Sequence, residues 1–426
     1  MKAKMYNFDL MEKKNKLSIL LVSSYAFTRE PGGVKDFILG LRKALCKNAC
    51  IVKVVAPGTK DAQKKGLVDF VLGMDLKIVT DQTEFRIGFS RKETALKILE
   101  IVKPDIIVIH EPFVPSIGHT IISAVAGAKD KRSRPVIIGQ FHARREKFNW
   151  SLKIAEFVVR YLIRRPKFDR RTILSFSSGY ATTINNNLNA RIAVSEATKK
   201  FWQKKSIAEY KIIYNGIDAN RLTISGSKIT SWKKEGGKII LFAGRHDPKK
   251  GIDDLLNALN ILVQNGHEDI LLKIAGIGEM TKTLQKMVKK LHLQKYVQFA
   301  GVLPYAVLAK AYRTADLVVA PSTGGEGFNR TIIEARSCGA LVVCTDIDGH
   351  REAIGKDLSP FMAKPKNPRS LSQQIMTVLN LNEARKKRMR KGGAREVKSL
   401  FSWNSIAKQH ILFYKSLISK YDNPGG

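Results

Sequence analysis

One local pattern starts twice in this chain: an apolar run, a glycine-bearing loop, then a helix with one apolar face. The first copy is Leu17–Val22, a loop ending Pro31-Gly32-Gly33, and a helix with Val34, Phe37, Ile38, Leu41 and Leu45 on one stripe. The second is Ile239–Ala243, the loop Gly244-Arg245-His246-Asp247-Pro248-Lys249-Lys250-Gly251, and a helix over Ile252–Val263. Runs apolar at nearly every position suit strands covered on both faces, which is the condition of a parallel sheet. Strand-like runs recur at Ile51–Ala56, Ile106–Ile109, Val136–Ile138 and Ala190–Val194, then at Leu271–Ala275, Val297–Ala300, Leu317–Ser322 and Leu341–Cys344. Helical segments separate them. Such alternation predicts an α/β protein of two doubly wound, Rossmann-like sheets. A length of 426 residues is enough for two cores.

The polar stretch Thr223–Lys238 reads as the link between the halves, so the expected domains are 1–220 and 221–400. The segment 401–426 opens with Phe401-Ser402-Trp403 and carries Ile406, His410, Phe413 and Leu417 at helical spacing. It is expected to be a helix that packs back on the N-terminal domain.

Chemistry is concentrated where strands hand over to loops, the ligand edge of open α/β sheets. Glu326-Gly327-Phe328-Asn329-Arg330-Thr331 runs from a glycine loop into a helix start, so backbone N–H groups face whatever lies in front of it. Glu334 follows, expected about two turns into that helix, where a carboxylate can accept from vicinal hydroxyls. Arg245 and Lys250 put fixed charge into a strand-to-helix loop, which suits a diphosphate and is also what a solvated basic turn looks like. Gly32-Gly33 lets backbone approach a ligand closely, although a Gly-Gly pair before a helix is also an ordinary turn. His110 and His142 each fall just past a strand end. Ser195 reads as a helix cap, and Gly276-Ile277-Gly278 as a second glycine turn after a strand.

The formal charge of +37 reads either as an affinity for something acidic, whether nucleic acid, an anionic membrane or phosphorylated ligands, or as a general lysine bias in composition. Arg144–Arg171 holds ten Lys/Arg against three acids. Within it Lys153, Glu156, Arg160, Arg164 and Lys167 share a helical stripe, with Arg165 beside it, opposite Ile154, Phe157, Val158, Tyr161 and Leu162. A basic stripe facing an apolar one fits a helix lying on an anionic membrane, and equally one packed on its own domain. No nucleic-acid recognition module is evident, so specific nucleic acid is not expected as a partner. The four cysteines have neither disulfide-scaffold nor zinc spacing, and no apolar run is long enough to cross a bilayer. The Asp346-x-Asp348 pattern lacks a third ligand nearby, and no metal site is expected.

Taken in order, the blocks Pro-Gly-Gly-Val at 31–34, the strand-end histidines at 110 and 142, Val-Ser-Glu-Ala at 194–197, Tyr-Asn-Gly-Ile-Asp at 214–218, the Gly244–Gly251 loop and the glutamates at 326 and 334 resemble the retaining glycosyltransferases of family 4. The resemblance spans nearly the whole chain. It implies the GT-B fold, two Rossmann-like domains facing across a cleft, and a nucleotide-sugar donor used without a metal ion or prosthetic group. It also assigns roles. Arg245 and Lys250 meet the donor diphosphate, Glu334 the ribose hydroxyls, and Glu326 with the backbone of Gly327, Phe328, Asn329, Arg330 and Thr331 the donor sugar and phosphates. Gly276 and Gly278 line the donor site, and Gly32 and Gly33 close over the diphosphate. His142 lies near the transferred sugar, with His110 on the acceptor or sugar side; His142, Arg245, Lys250 and Glu326 form the implied catalytic set.

Within the family the chain is most similar to the phosphatidylinositol mannosyltransferase and lipid glycosyltransferase branch, on the Gly-Gly loop, Phe141-His142-Ala143 and the basic stretch after it. That branch implies a hexose, mannose before glucose, moved to a lipid by a cytoplasmic enzyme lying peripherally on the inner face of the plasma membrane. A soluble glycan or small-molecule acceptor, or UDP-glucose as donor, remains open at this stage, and oligomeric state is not indicated.

Overall fold

The computed structural model describes residues 16–27, 32–58, 60–79, 84–114, 116–126, 134–142, 182–204, 208–232 and 237–422. Two compact units emerge. The first comprises the chain to Val194, Lys199–Tyr214 and the chain from Ile406; the second comprises Ser195–Thr198 and Asn215–Ser405. The chain thus passes into the second unit at Asn215, not at 220, and Thr223–Lys238 lies inside that unit instead of linking the two. The last helix enters the first unit at Ile406.

The first unit is built on a seven-stranded sheet in the order β3-β2-β1-β6-β7-β8-β9, every neighbour parallel. Its strands are β1 (Ser18–Ser23), β2 (Ile51–Ala56), β3 (Phe70–Val71), β6 (Ile106–His110), β7 (Val136–Phe141), β8 (Ala190–Ala193) and β9 (Lys211–Ile212), and a hairpin of β4 (Met74–Val79) with β5 (Glu84–Phe89) stands apart. Helices α1 (Gly33–Lys47), α2 (Lys60–Lys64), α3 (Lys92–Val102), α4 (Ile117–Ala126) and α5 (Glu196–Gln203) fall between the strands. β6 and β7 are buried at every position, as the unbroken apolar runs require. α1 buries Phe37, Ile38, Leu41, Ala44 and Leu45 on one stripe.

The second unit has a five-stranded parallel sheet, β12-β11-β10-β13-β14. These are β10 (Lys238–Ala243), β11 (Ile270–Ala275), β12 (Val297–Gly301), β13 (Leu317–Ala320) and β14 (Leu341–Cys344). Its helices are α6 (Ile252–Gln264), α7 (Thr281–Lys290), α8 (Tyr305–Thr314), α9 (Arg330–Ser337), α10 (Asp348–Ile354), α11 (Pro368–Leu379) and α12 (Glu383–Phe401). α13 (Trp403–Asp422) then begins with Ser402, whose Oγ accepts from Ser405 N at 3.3 Å. On α13, Ile406, Ala407, His410 and Tyr414 are buried. Tyr414 takes the inward place that the spacing had suggested for Phe413.

α12, a strongly basic run, is exposed on one side but buries Met389, Gly393, Val397 and Phe401. Its Glu396 reaches Arg336 of α9, which is 1% exposed and also pairs with Asp357. Asp346 and Asp348 both engage Arg351, at 2.6 and 3.2 Å. Among the described residues no group of three or more His, Cys, Asp or Glu is arranged to hold a metal ion.

Candidate active site

In the second unit the loop after β10 is shaped by its neighbours on the sheet. Gly244 N–H donates to Ala275 O at 3.0 Å, and Gly276 N–H to Gly301 O at 2.7 Å. Gly276 has φ +123°, and a Cβ there would collide with the carbonyl oxygen of Gly244; one at Gly278 would collide with the backbone of His246. These two glycines therefore seat the basic loop by letting backbone run against backbone. Asp247 then caps the short turn Pro248–Lys250, its Oδ1 accepting from Lys249 N at 2.9 Å. The turn aims Lys250 at Glu326, with Nζ 2.5 Å from Oε1, and Ser322 Oγ donates to the same oxygen at 3.1 Å. Burial works to raise the Glu326 carboxyl, but the Lys250 ammonium, His350 and the Ser322 hydroxyl together outweigh it and hold the group below the usual carboxylate range. Arg245 stands away from this pair: its side chain is 64% exposed, and its ion partner is Asp247 at 3.5 Å.

The helix that follows begins at Arg330, so Glu334 stands one turn in, not the two expected from spacing. Its Oε2 accepts from the Tyr312 hydroxyl at 3.3 Å, and its Oε1 lies 3.3 Å from Arg330 Nη2. Burial, reinforced by Glu334, raises the Tyr312 phenol well above its ordinary value, so it remains a neutral donor. Glu334 is consequently held in place as a nearly buried acceptor.

Residues 327–331 divide their duties. Gly327 O accepts from Ser195 Oγ at 2.6 Å. Phe328 is 7% exposed and packs on Phe401, ring centroids 5.6 Å apart, so its side chain belongs to the core. Asn329 caps α9, its Oδ1 accepting from Thr331 N at 3.0 Å. The Thr331 hydroxyl donates to Ala243 O at 3.2 Å, tying the helix start to the end of β10. Side chains in this stretch thus hold the loop, leaving backbone as the part available to a ligand.

His350, not singled out from the sequence, is fully buried behind the loop. Its Nδ1 donates to Thr345 O at 2.9 Å, which leaves Nε2 to accept from Asn329 Nδ2 at 2.9 Å. Burial lowers its pKa to about 4, keeping the neutral tautomer that Asn329 needs. Glu352 is a second unflagged residue: its carboxylate accepts from Glu196 N at 2.8 Å and Ala197 N at 3.1 Å, next to Ser195, whose Oγ accepts from Thr198 N at 2.9 Å. Both lie far in sequence from the groups they orient, so spacing could not reveal them.

In the first unit Gly32 is the N-cap of α1, extended at φ −150°, and Gly33 is its first residue. His110 is the last residue of β6 rather than the one beyond it, and His142 follows β7. The sheet brings the two rings together, His110 Nδ1 to His142 Nε2 at 2.9 Å, with Phe37 edge-on to both. His142 N–H donates to Glu111 Oε1 at 2.7 Å, and Glu111 sits at φ +57°, an uncommon backbone state for a residue with a Cβ. His410 of α13 joins the cluster against Phe37, centroids 6.3 Å apart. Burial, with mutual repulsion, depresses His142 to about 3 and His110 well below its ordinary value; burial takes His410 to about 4. The three rings are neutral at pH 7. The basic stretch with Lys153, Arg160, Arg164, Arg165 and Lys167 lies outside the described residues.

Two parallel-sheet units, one carrying a basic loop clamped to a glutamate and a second glutamate at a helix start, define a glycosyltransferase with the GT-B fold. Residues 31–221 match the profile described as Glycosyltransferase Family 4, and residues 227–395 that of Glycosyl transferases group 1. The chain belongs to the family 4 glycosyltransferases that carry this pair of domains. It is 26% identical over 411 residues to the phosphatidyl-myo-inositol mannosyltransferase of Mycobacterium tuberculosis, covering 94% of this chain and 97% of that protein. Among solved structures it is similar to a glycosyltransferase from Rickettsia africae, with TM-score 0.70, 18% identity, and 95% of this chain and 99% of that one covered. It is also similar to Anabaena HepE in complex with UDP, with TM-score 0.68, 19% identity, and 94% and 100% covered.

Proposed function

We propose that this glycosyltransferase moves a hexose, mannose from GDP-mannose in the first instance, to a membrane lipid such as phosphatidylinositol, with retention of configuration. The full-length similarity to phosphatidyl-myo-inositol mannosyltransferases carries the donor and acceptor parts of this reading. The placement of Lys250, Glu326 and Glu334 around one loop supports the chemical part.

In this reading the bond between the sugar's anomeric carbon and the diphosphate oxygen breaks, and the departing diphosphate takes the electron pair. Lys250, the exposed Arg245 and the N-terminus of α9 meet the charge that develops, without a metal ion. The acceptor hydroxyl attacks from the same face and passes its proton to the leaving diphosphate, so no protein nucleophile is required. Glu334 accepts from the ribose hydroxyls. Neutral His142 serves the sugar as a hydrogen-bonding group, not as a cation. In this reading the enzyme lies peripherally on the inner face of the plasma membrane; no helix among the described residues is long and apolar enough to cross it.

The deciding experiment is a thermal-shift panel with GDP, UDP, ADP and their hexose conjugates, with and without EDTA, followed by transfer assays to phosphatidylinositol and to soluble glycans. Stabilisation by guanine nucleotides alone, insensitive to EDTA and lost in Glu334→Ala, supports the donor assignment. Selective stabilisation by UDP replaces mannose with a UDP-linked sugar, and transfer to soluble glycans with no lipid requirement removes the lipid acceptor.

A further inference from the structure

The second unit holds a separate groove of about 600 Å³ beside the edge strand β12, between the Thr230–Trp232 turn and α8. Arg313 of α8 fixes one wall, donating to Ser227 O at 3.0 Å and Thr223 O at 3.1 Å, while Thr314 Oγ1 accepts from Ile229 N at 2.8 Å. Lys228, Thr230, Trp232, Gln298, Phe299 and Lys310 supply its chemistry, and none of the described residues lining it is a carboxylate.

Behind this wall stands Lys273 of β11, only 4% exposed. Its ammonium donates to Gln298 Oε1 and lies 5.1 Å from the centre of the Trp232 ring. No carboxylate pairs with it among the described residues. Among the described residues its partners are an amide oxygen and an indole face, whereas a buried ammonium ordinarily requires a counter-charge. The bond also orients the Gln298 amide, committing its oxygen to Lys273 and leaving its Nε2 as a donor at the groove. Two lysines, two hydroxyls from Thr230 and Ser231, and this amide nitrogen therefore surround a partly apolar floor of Trp232 and Phe299.

We propose that this groove is a second binding site, for an organic phosphate whose anionic group meets Lys228, Lys310 and Gln298 while its apolar body lies on Trp232 and Phe299. Phe299 also packs on His246 of the basic loop, ring centroids 6.1 Å apart, so occupancy is felt where Arg245 and Lys250 are positioned. The phosphate can belong to a soluble metabolite or to a lipid headgroup, and the test separates these.

Full-length protein is titrated calorimetrically with phenyl phosphate and, separately, floated with vesicles of phosphatidylcholine with and without phosphatidic acid. Three proteins accompany it: Lys228→Glu/Lys310→Glu, the charge-matched control Lys387→Glu/Lys391→Glu on exposed positions of α12, and Lys250→Met in the basic loop. The proposal expects affinity to fall at least about tenfold in the first variant, the loss of charged hydrogen bonds, and to survive in the other two. Dependence seen with phenyl phosphate identifies a soluble ligand; dependence seen only with phosphatidic acid vesicles identifies a headgroup. No binding in either format, equal losses in the charge-matched control, or a loss confined to Lys250→Met overturns the proposal.

Discussion

Lys250 Nζ lies 2.5 Å from Glu326 Oε1, joining the turn after β10 to the loop after β13 across 76 residues of sequence. Both side chains are largely buried, at 24% and 16% exposed, so the pair is shielded from bulk water at one edge of the group while the ammonium keeps donors for a ligand. The pair thereby ties the most mobile kind of cation in the site to a fixed point.

Under the proposed function, removing the ammonium takes charge from the point where the donor diphosphate departs. Lys250→Met is expected to lower kcat by about 10²–10³, the range for deleting a group that stabilises a developing oxyanion. Because the residues touch, a cycle with Glu326→Gln should give a coupling of about 1–3 kcal/mol in urea unfolding. Additive single effects would show that the two groups act independently.

Asn329 both caps α9 and donates to His350. Asn329→Ala should cost about 1 kcal/mol for the lost cap, and Asn329→Ser, which keeps a capping oxygen, should recover most of it. Urea titration of the three proteins reads the difference. The KM for the nucleotide sugar is expected to rise in Asn329→Ala, since the proposed function puts the donor diphosphate at the start of α9.

Arg336 is buried with Asp357 and Glu396 as its partners, at 2.9 and 2.6 Å. Arg336→Met is expected to cost about 2 kcal/mol, less than the ~3–5 kcal/mol of a fully buried pair, because the stranded carboxylates are about a third exposed and stay in reach of water. A change within error would show that methionine packing compensates for the lost ion pairs.

The pH dependence follows from His410, whose folded pKa of about 4 lies below its ordinary value of 6.5. From pH 6.5 downwards the unfolded chain binds a proton that the folded chain refuses, so stability is complete above about 6.5 and is lost as pH falls to about 4. His350, His142 and His110 act in the same direction. His410→Phe should flatten the profile, removing about 3 kcal/mol of the change across that window. Urea midpoints at pH 5 and pH 7.5 provide the check, and an unchanged difference between those midpoints would contradict the burial of His410.

Several features of this protein could be read from the chain itself because they depend on local period. Apolar runs such as Leu341–Cys344, and Ile51–Ala56 with only Lys53 interrupting it, are best satisfied between covering helices, and both are strands with the expected bounds. The glutamates, the basic loop and the strand-end histidines were visible because motif order is a one-dimensional property. Spacing misjudged the same segment where the outcome depended on what lay opposite. Glu334 stands one turn into α9 because Asn329, held by His350, starts the helix at Arg330, and Phe328 turns into the core because Phe401 is there to receive it. The buried Lys273 held by Gln298 and Trp232, the Glu352 cap and the burial of Arg336 have no signature in the sequence around them. Each depends on a desolvated group meeting a partner from a distant segment, and only the packed tertiary structure decides which partner that is.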